Sequence, residues 1–394
     1  MLLESVDVVE WSNDIASQFS ARLLGDLGAG VVKFEPVGGD AFRRRPPFWS
    51  TSGVDSNAGA LFDFLNAGKV CRQIDPDCAE DVEAIKQAIG KAAVFVQSNF
   101  DAAFSGAGLS IASLRQQFPQ LVVLSITPFG LDVQADQVSD YVLQHHAGLA
   151  HATARPVSDP EAQPPLAGAD HEGPLAVGVT GALSAVWGLL LADLGEQAPE
   201  IDLAVQDFYA QALIDDFVQW GDGKRHFSRD RKDSPSIAPA GGISWLLPAR
   251  DGFIMVSPRE EHQWQRWIAV LGHPAWSQDT ELCGSVALRK QNWGRLRELM
   301  AEWSQQWAAA DLAAKAQQEK VACFPVSTPA ELLTNAQLHA RRFFDFLVGP
   351  AEERIRIPGL PFQVTDTSGR QLKRERVLFG PGAEDRRSRF TGES

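Results

Sequence analysis

The chain has 394 residues, 44% hydrophobic and 22% charged, which is enough apolar material for a proper core and excludes a disordered polymer. A formal net charge of −14 excludes a general binder of nucleic acid or of anionic membranes, since either needs a basic face. Cys71, Cys78, Cys283 and Cys323 lack metal-ligand spacing and read as reduced thiols of a cytoplasmic protein, so no metal site is expected.

The N-terminus meets acidic residues at once and has no basic leader, so no signal peptide is expected. Residues 6–9 read as a first strand. Leu23, Leu24 and Leu27 share one helical face. Gly28 stands where a helix C-cap glycine belongs, because glycine enters the left-handed region without steric cost. Residues 31–34 form a second strand carrying Lys33, with Glu35 after it and the turn Gly38-Gly39 beyond. That turn is not a P-loop, since no G-K-[ST] follows it. Helical residues 81–92 run into strand 94–96, and helical residues 111–117 into strand 121–126. Apolar strands alternating with helices predict an α/β fold whose parallel sheet is covered on both faces.

Residues 156–174 form a loop rich in Pro, Asp, Gly and Ala. Residues 174–192 contain no charge and are long enough to be weighed as a membrane span. Gly178, Thr180, Gly181, Ser184 and Gly188, with acidic flanks, favour a closely packed core helix instead. A strand over 200–205 and a helix over 206–220 follow. Residues 221–239 are polar and turn-rich and mark a domain junction. Residues 245–247 and 253–256, around Asp251-Gly252, predict a hairpin. Helical patterns over 261–271 and 288–320 complete a smaller α+β domain. The division expected is therefore 1–220 for the first part of a large domain, 221–330 for the small domain and 331–394 for a return to the large one.

The run Leu23-Leu24-Gly25-Asp26-Leu27-Gly28-Ala29-Gly30-Val31-Val32-Lys33-Phe34-Glu35 resembles the L-L-A-D-L-G-A-x-V-I-K-V-E run of the family III CoA-transferases. That group includes formyl-CoA and carnitine CoA-transferases and α-methylacyl-CoA racemase. Further matches follow in order. Phe62-Asp63-Phe64-Leu65-Asn66-Ala67-Gly68-Lys69 resembles F-x-x-L-N-R-G-K, and Ser139-Asp140-Tyr141-Val142-Leu143-Gln144 resembles the D-x-x-x-Q helix start. Ile201-Asp202-Leu203-Ala204-Val205-Gln206-Asp207 resembles V-D-V-S-L-x-E, and Pro358-Gly359-Leu360-Pro361-Phe362 resembles P-G-x-P-F. The resemblance implies a Rossmann-like large domain built from both ends of the chain, a small domain between them in sequence, and an interlocked dimer. It implies movement of CoA between an acyl-CoA thioester and a carboxylic acid, with CoA as substrate rather than permanent cofactor. One alternative is a non-catalytic subunit partnered by a paralogue that keeps the reacting aspartate. Another is an acyl-CoA racemase, isomerase or lyase working through other residues.

In the transferases of this family an aspartate attacks the thioester from a D-x-x-x-G-x-x-A-A helix start. The glycine matches Gly181, so the aspartate position is Val177, which can neither attack nor accept a proton. Asp170, in the loop before this helix, is the candidate replacement from a shifted position; a solvated loop carboxylate is the plainer account. The racemase histidine would fall on Ser139, and His145 nearby is the candidate imidazole, with a hydrogen-bonded structural histidine as its alternative. For CoA, the resemblance points to Lys33, Asn66 and Lys69, with the apolar Ala16 and Leu65. Arg43-Arg44-Arg45 offers cations to phosphates. The family's E-N-F-R-P-G reads here Gln97-Ser98-Asn99-Phe100-Asp101-Ala102, keeping Asn99 but not the arginine.

Overall fold

The apolar runs of the N-terminal half build one six-stranded parallel sheet: β1 (Asp7–Trp11), β2 (Gly30–Pro36), β3 (Val70–Ile74), β4 (Val94–Gln97), β5 (Val122–Thr127) and β6 (Glu200–Ala204). The computed structural model describes residues 2–48, 59–133, 138–153, 157, 159–169, 171–223, 229, 244–348, 354–363, 365, 368–369 and 377–379. The strand order is β3-β2-β1-β4-β5-β6. The chain starts mid-sheet, builds outward to β3, then returns beside β1 and builds the other way. Its direction of growth reverses between β1 and β4, where Val8 pairs with Val94 and Trp11 with Gln97.

The helices of this half are α1 (Ile15–Asp26), α2 (Ala60–Asn66), α3 (Ala79–Lys91), α4 (Phe100–Ala103), α5 (Ile111–Gln117), α6 (Asp140–His146), α7 (Leu149–Ala152), α8 (Glu172–Asp193), α9 (Val205–Gln211) and α10 (Ile214–Gly223). Successive strand residues point to opposite faces, and the core divides accordingly. Val8, Val94, Val96, Val122 and Leu124 join residues of α1 and α8 on one side. Val9, Phe95 and Val123 join Ile85 and Ile89 of α3, Phe100 of α4 and Leu114 of α5 on the other. β3 escapes sequence inspection because it is an edge strand, with Arg72 and Gln73 exposed in place of an apolar run. The helix expected over 206–220 is two helices, since Ala212 and Leu213 form a turn between α9 and α10.

α8 is long and apolar enough to cross a membrane by length and composition. It is a core helix on one face only. Gly178, Gly181, Ala182, Ala185 and Gly188 are buried, and their small size lets α8 lie directly on α1 and β5. A Cβ at Gly178 would come 2.9 Å from the Ala16 carbonyl oxygen, and one at Gly188 2.7 Å from a Val122 methyl. The opposite face leaves Val179, Leu183, Trp187 and Leu190 more than half exposed.

Contacts divide the chain into two units: Met1–Arg155 with Gln163–Phe227 and Gln337–Ser394, and Pro156–Ala162 with Ser228–Ala336. In the second, β7 (Trp245–Ala249), β8 (Gly252–Val256) and β9 (Cys323–Pro325) form an antiparallel sheet in the order β7-β8-β9. Its helices are α11 (Glu261–Val270), α12 (Thr280–Cys283), α13 (Val286–Gln291), α14 (Trp293–Ser304), α15 (Ala309–Gln318) and α16 (Pro329–Leu332). Trp245, Leu247, Ile254 and Val256 pack with Trp264, Trp267, Leu296 and Leu312. Arg289 is buried there because its guanidinium is satisfied, donating to the Cys283 carbonyl and to Glu261 and lying over the Trp264 ring.

After α17 (Ala336–Ala340), the tail forms a sheet of its own. β10 (Phe344–Val348) pairs antiparallel with β11 (Arg354–Pro358) and parallel with β12 (Val377–Phe379). Leu347 and Ile357 pack on Ala67 and Phe64, which returns the C-terminal segment to the first unit.

Candidate active site

In an open α/β sheet, ligands bind outside the carboxyl ends of the strands where the strand order reverses. Here that crevice lies between β1 and β4. The N-terminal end of α8 reaches the same edge, since Gly188 packs near the start of β5, Gly181 against Ile126 near its end, and Gly178 on the first turn of α1. The N-termini of α1 and α8 therefore converge at the crevice, bringing free N–H groups and partial positive charge to one place. Ser20 ties the two helices together, donating to the carbonyls of Ala16 and Gly178.

Beside the crevice lies a buried ionic cluster. Lys33 Nζ contacts Glu10 Oε1 at 2.8 Å, the Ser12 carbonyl at 2.7 Å and Asp40 Oδ2 at 3.1 Å. Lys69 Nζ contacts Glu10 Oε2 at 2.6 Å, the Gln18 carbonyl at 2.8 Å and Asn66 Oδ1 at 2.9 Å. Each ammonium has three donors, and all three are used. Asn66 Nδ2 donates to Gln18 Oε1 and to the Phe62 carbonyl, while Gln18 Nε2 donates to Asp40. Two carboxylates face two ammoniums, so the cluster is neutral. Desolvation pushes the Glu10 carboxyl up, but Lys33 and Lys69 more than reverse this and hold it below its ordinary range. Desolvation likewise pulls Lys33 down, and Glu10 and Asp40 overturn it, so Lys33 sits above its ordinary value. Burial and the like charge of Lys33 hold Lys69 lower, against the pull of Glu10.

The side chains expected to meet the nucleotide lie inside the chain. Lys33 and Asn66 are fully buried, Lys69 nearly so, and their polar groups are committed inside the chain. Ala16 and Leu65 are buried as well. Of the arginine triplet, Arg43 forms a two-pronged pair with Glu35 and lies over the Phe62 ring. Arg44 and Arg45 remain exposed, with Arg44 donating to the Gly38 carbonyl and Arg45 lying over Phe42. They follow β2, at the carboxyl edge of the sheet.

A second polar group lies at the same edge, and sequence inspection missed it. Asp14 caps α1, its Oδ1 accepting from the Ser17 N–H at 2.8 Å. Its Oδ2 is covered, as are the Ser17 and Ser98 hydroxyl oxygens, and none of the three has a hydrogen-bond partner in good geometry. Desolvation raises the Asp14 carboxyl above its ordinary range. The nearby Ser17 and Ser98 hydroxyls oppose that in part. Ser-Asn-Asp immediately before an apolar helix face is a recognisable N-cap signal, but nothing in it discloses the unpaired oxygen.

His145 is partly buried on α6, its Nδ1 donating to the Tyr141 carbonyl at 2.7 Å. On the buried side of α6, Asp140 accepts from the Tyr209 hydroxyl and from Gln144, whose Oε1 accepts from the Gly168 N–H at 2.7 Å. This chain of contacts anchors the loop that leads to α8. Asn99, after β4, is exposed. Asp170 lies outside the described residues. Val177 is completely buried among the apolar residues between α8 and the sheet. No group of ligands able to hold a metal occurs among the described residues.

The model for CoA-transferase family III matches residues 3–376. Succinate–glutarate CoA-transferase of Agrobacterium fabrum is 26% identical over 365 residues, covering 91% of this chain and 88% of that protein. Succinyl-CoA:mesaconate CoA-transferase of Haloarcula hispanica is 25% identical, covering 93% and 90%. In fold, a CAIB/BAIF family protein from Brucella suis aligns with TM-score 0.83 at 24% identity, covering 98% of each chain. With a Rossmann-like sheet, a smaller α+β unit and a family match running almost end to end, the chain belongs to CoA-transferase family III.

Proposed function

We propose that the chain moves CoA between an acyl-CoA thioester and a carboxylic acid at the β1/β4 crevice. The observation that carries this reading is the family match over residues 3–376, in a fold that converges two helix N-termini on the carboxyl edge of the sheet. In the chemistry the resemblance implies, an enzyme carboxylate takes the acyl group as a mixed anhydride, and CoA then returns to form an enzyme thioester. Helix N–H groups are suited to the oxyanions that both steps generate. CoA enters and leaves as substrate.

Arg44, Arg45 and Asn99 are the exposed groups suited to the phosphates and polar parts of CoA, while Ala16 and Leu65 are buried apolar residues of the core. Lys33, Asn66 and Lys69 act at one remove, fixing the turn after β1 and the segment around Asp40. The relatives named for succinate, glutarate and mesaconate make short dicarboxylic acids the first acceptors to test. The exposed stripe on α8, with Ile214, Phe217 and Val218 of α10 also exposed, supports pairing with a second chain, a copy or a paralogue, in the cytoplasm.

The second reading, a non-catalytic subunit, is favoured by Val177. One experiment separates the two. The purified chain is incubated with succinyl-CoA or glutaryl-CoA and a panel of free acids, and CoA esters are followed by chromatography. Appearance of a new CoA ester is expected. No transfer by the chain alone, restored by an aspartate-bearing paralogue, would establish the subunit role.

A further inference from the structure

We propose that Asp14 is the carboxylate through which this chain reacts with the thioester. The assignment rests on the CoA-transfer reading above. It starts from the unpaired oxygens: buried polar atoms are nearly always hydrogen-bonded, and an exception at a ligand crevice calls for a partner that arrives with the ligand. Asp14 Oδ2, Ser17 Oγ and Ser98 Oγ are three such exceptions in one niche at the β1/β4 reversal.

The niche is one residue below the surface, since Asn13 and Asn99, the neighbours of Asp14 and Ser98 in sequence, are both exposed. It also adjoins the place where the family pattern puts its aspartate. Gly178, next to Val177 in sequence, sits on the Ala16 carbonyl in the first turn of α1, the helix that Asp14 caps. Val177 has no reactive atom; Asp14 has a free oxygen, an oriented carboxyl and the N-terminus of a twelve-residue helix behind it.

The chemistry balances with no added reagent. Asp14 Oδ2 attacks the thioester carbonyl carbon, a C–O bond forms, the C–S bond breaks, and CoA leaves as thiolate. The thiolate attacks the Asp14 carbonyl carbon, releasing the donor acid as its carboxylate and leaving an aspartyl-CoA thioester. The acceptor carboxylate attacks that thioester, expelling the thiolate, which then attacks the acceptor's acyl carbon and frees Asp14 as carboxylate. The Ser17 and Ser98 hydroxyls are placed to donate to the oxyanions at the aspartyl carbon.

The test locates the bond. The full chain is incubated with succinyl-CoA or glutaryl-CoA and hydroxylamine, digested, and mapped by mass spectrometry. The expected result is a hydroxamate on the peptide that contains Asp14, and a loss of transfer of at least about a thousandfold in Asp14→Asn with unchanged circular dichroism. A hydroxamate on any other peptide, transfer without a covalent adduct, or Asp14→Asn at parental rate would overturn the assignment and leave the CoA-transfer reading standing. Absence of both transfer and adduct would overturn the two together. Ser98→Ala, which keeps the carboxyl, should slow turnover about tenfold or more with little change in KM; an unchanged rate would count against the niche as the reacting centre.

Discussion

Two polar clusters share one end of the sheet and differ in what they leave undone. Glu10, Asp40, Lys33 and Lys69 are buried with balanced charge and with every ammonium proton placed. Asp14, Ser17 and Ser98 each keep one covered oxygen unpaired. The difference teaches how to read buried charge. A closed network costs desolvation and returns geometry; an open one at a crevice is a place held for something else. Lys33, Asn66 and Lys69, which the family resemblance marks for the nucleotide, belong to the closed network, and the open one lies at positions the resemblance passes over.

The largest blow to this contrast is to open the closed cluster. Lys69→Met removes one cation and leaves Glu10 Oε2 facing an apolar chain, which should cost about 3–5 kcal/mol in urea unfolding. A loss below about 1 kcal/mol would mean that water already satisfies the site. Next in size is Gly181→Ala, whose new methyl group would meet the Ser20 hydroxyl and come 2.9 Å from Ile126. Overpacking of about 1–3 kcal/mol should outweigh a helix-propensity gain of about 1 kcal/mol. Pairing it with Ser20→Gly should recover part of the loss in the same measurement.

The smallest change has the opposite sign. Asp14→Asn should raise stability at neutral pH by about 1 kcal/mol while abolishing turnover, because it removes a desolvated charge whose Oδ2 lacks a partner and keeps a side-chain oxygen to cap α1. The pH dependence sharpens this. Burial raises Asp14 above its free value of 3.8, so its ionisation opposes folding: the penalty is absent below that value and complete above the folded pKa. Glu10, held below its free value of 4.5, contributes stability above that value and loses it as pH falls through its folded pKa. The gain from Asp14→Asn should therefore vanish in mild acid, where the parent begins to lose the Glu10 contribution. A gain that persists below pH 3.8 would break the argument.

Much of the fold is legible in the chain itself. The strands flanked by helices announce themselves because they are buried on both faces, as Val94-Phe95-Val96 is. β3 is not legible, because an edge strand has no continuous apolar run. The small unit's hairpin is legible from Asp251-Gly252 between apolar stretches. The site is legible only in part. Lys33, Asn66 and Lys69 can be picked out as important, but whether a cation faces a ligand or another side chain depends on pairings between residues up to 59 apart, as Lys69 and Glu10 are. Asp14 looks like any helix cap, and its nearness to Ser98 exists only once the segment after β4 folds beside β1.

The complete enclosure of Val177 limits what that position can hold. An aspartate at 177 would insert a carboxyl into an apolar cluster, at a cost of several kcal/mol. Glycines at 178 and 181 hold α8 so close to its neighbours that little room is left for relaxation. A polar side chain at this position would therefore require the helix pair around it to loosen first.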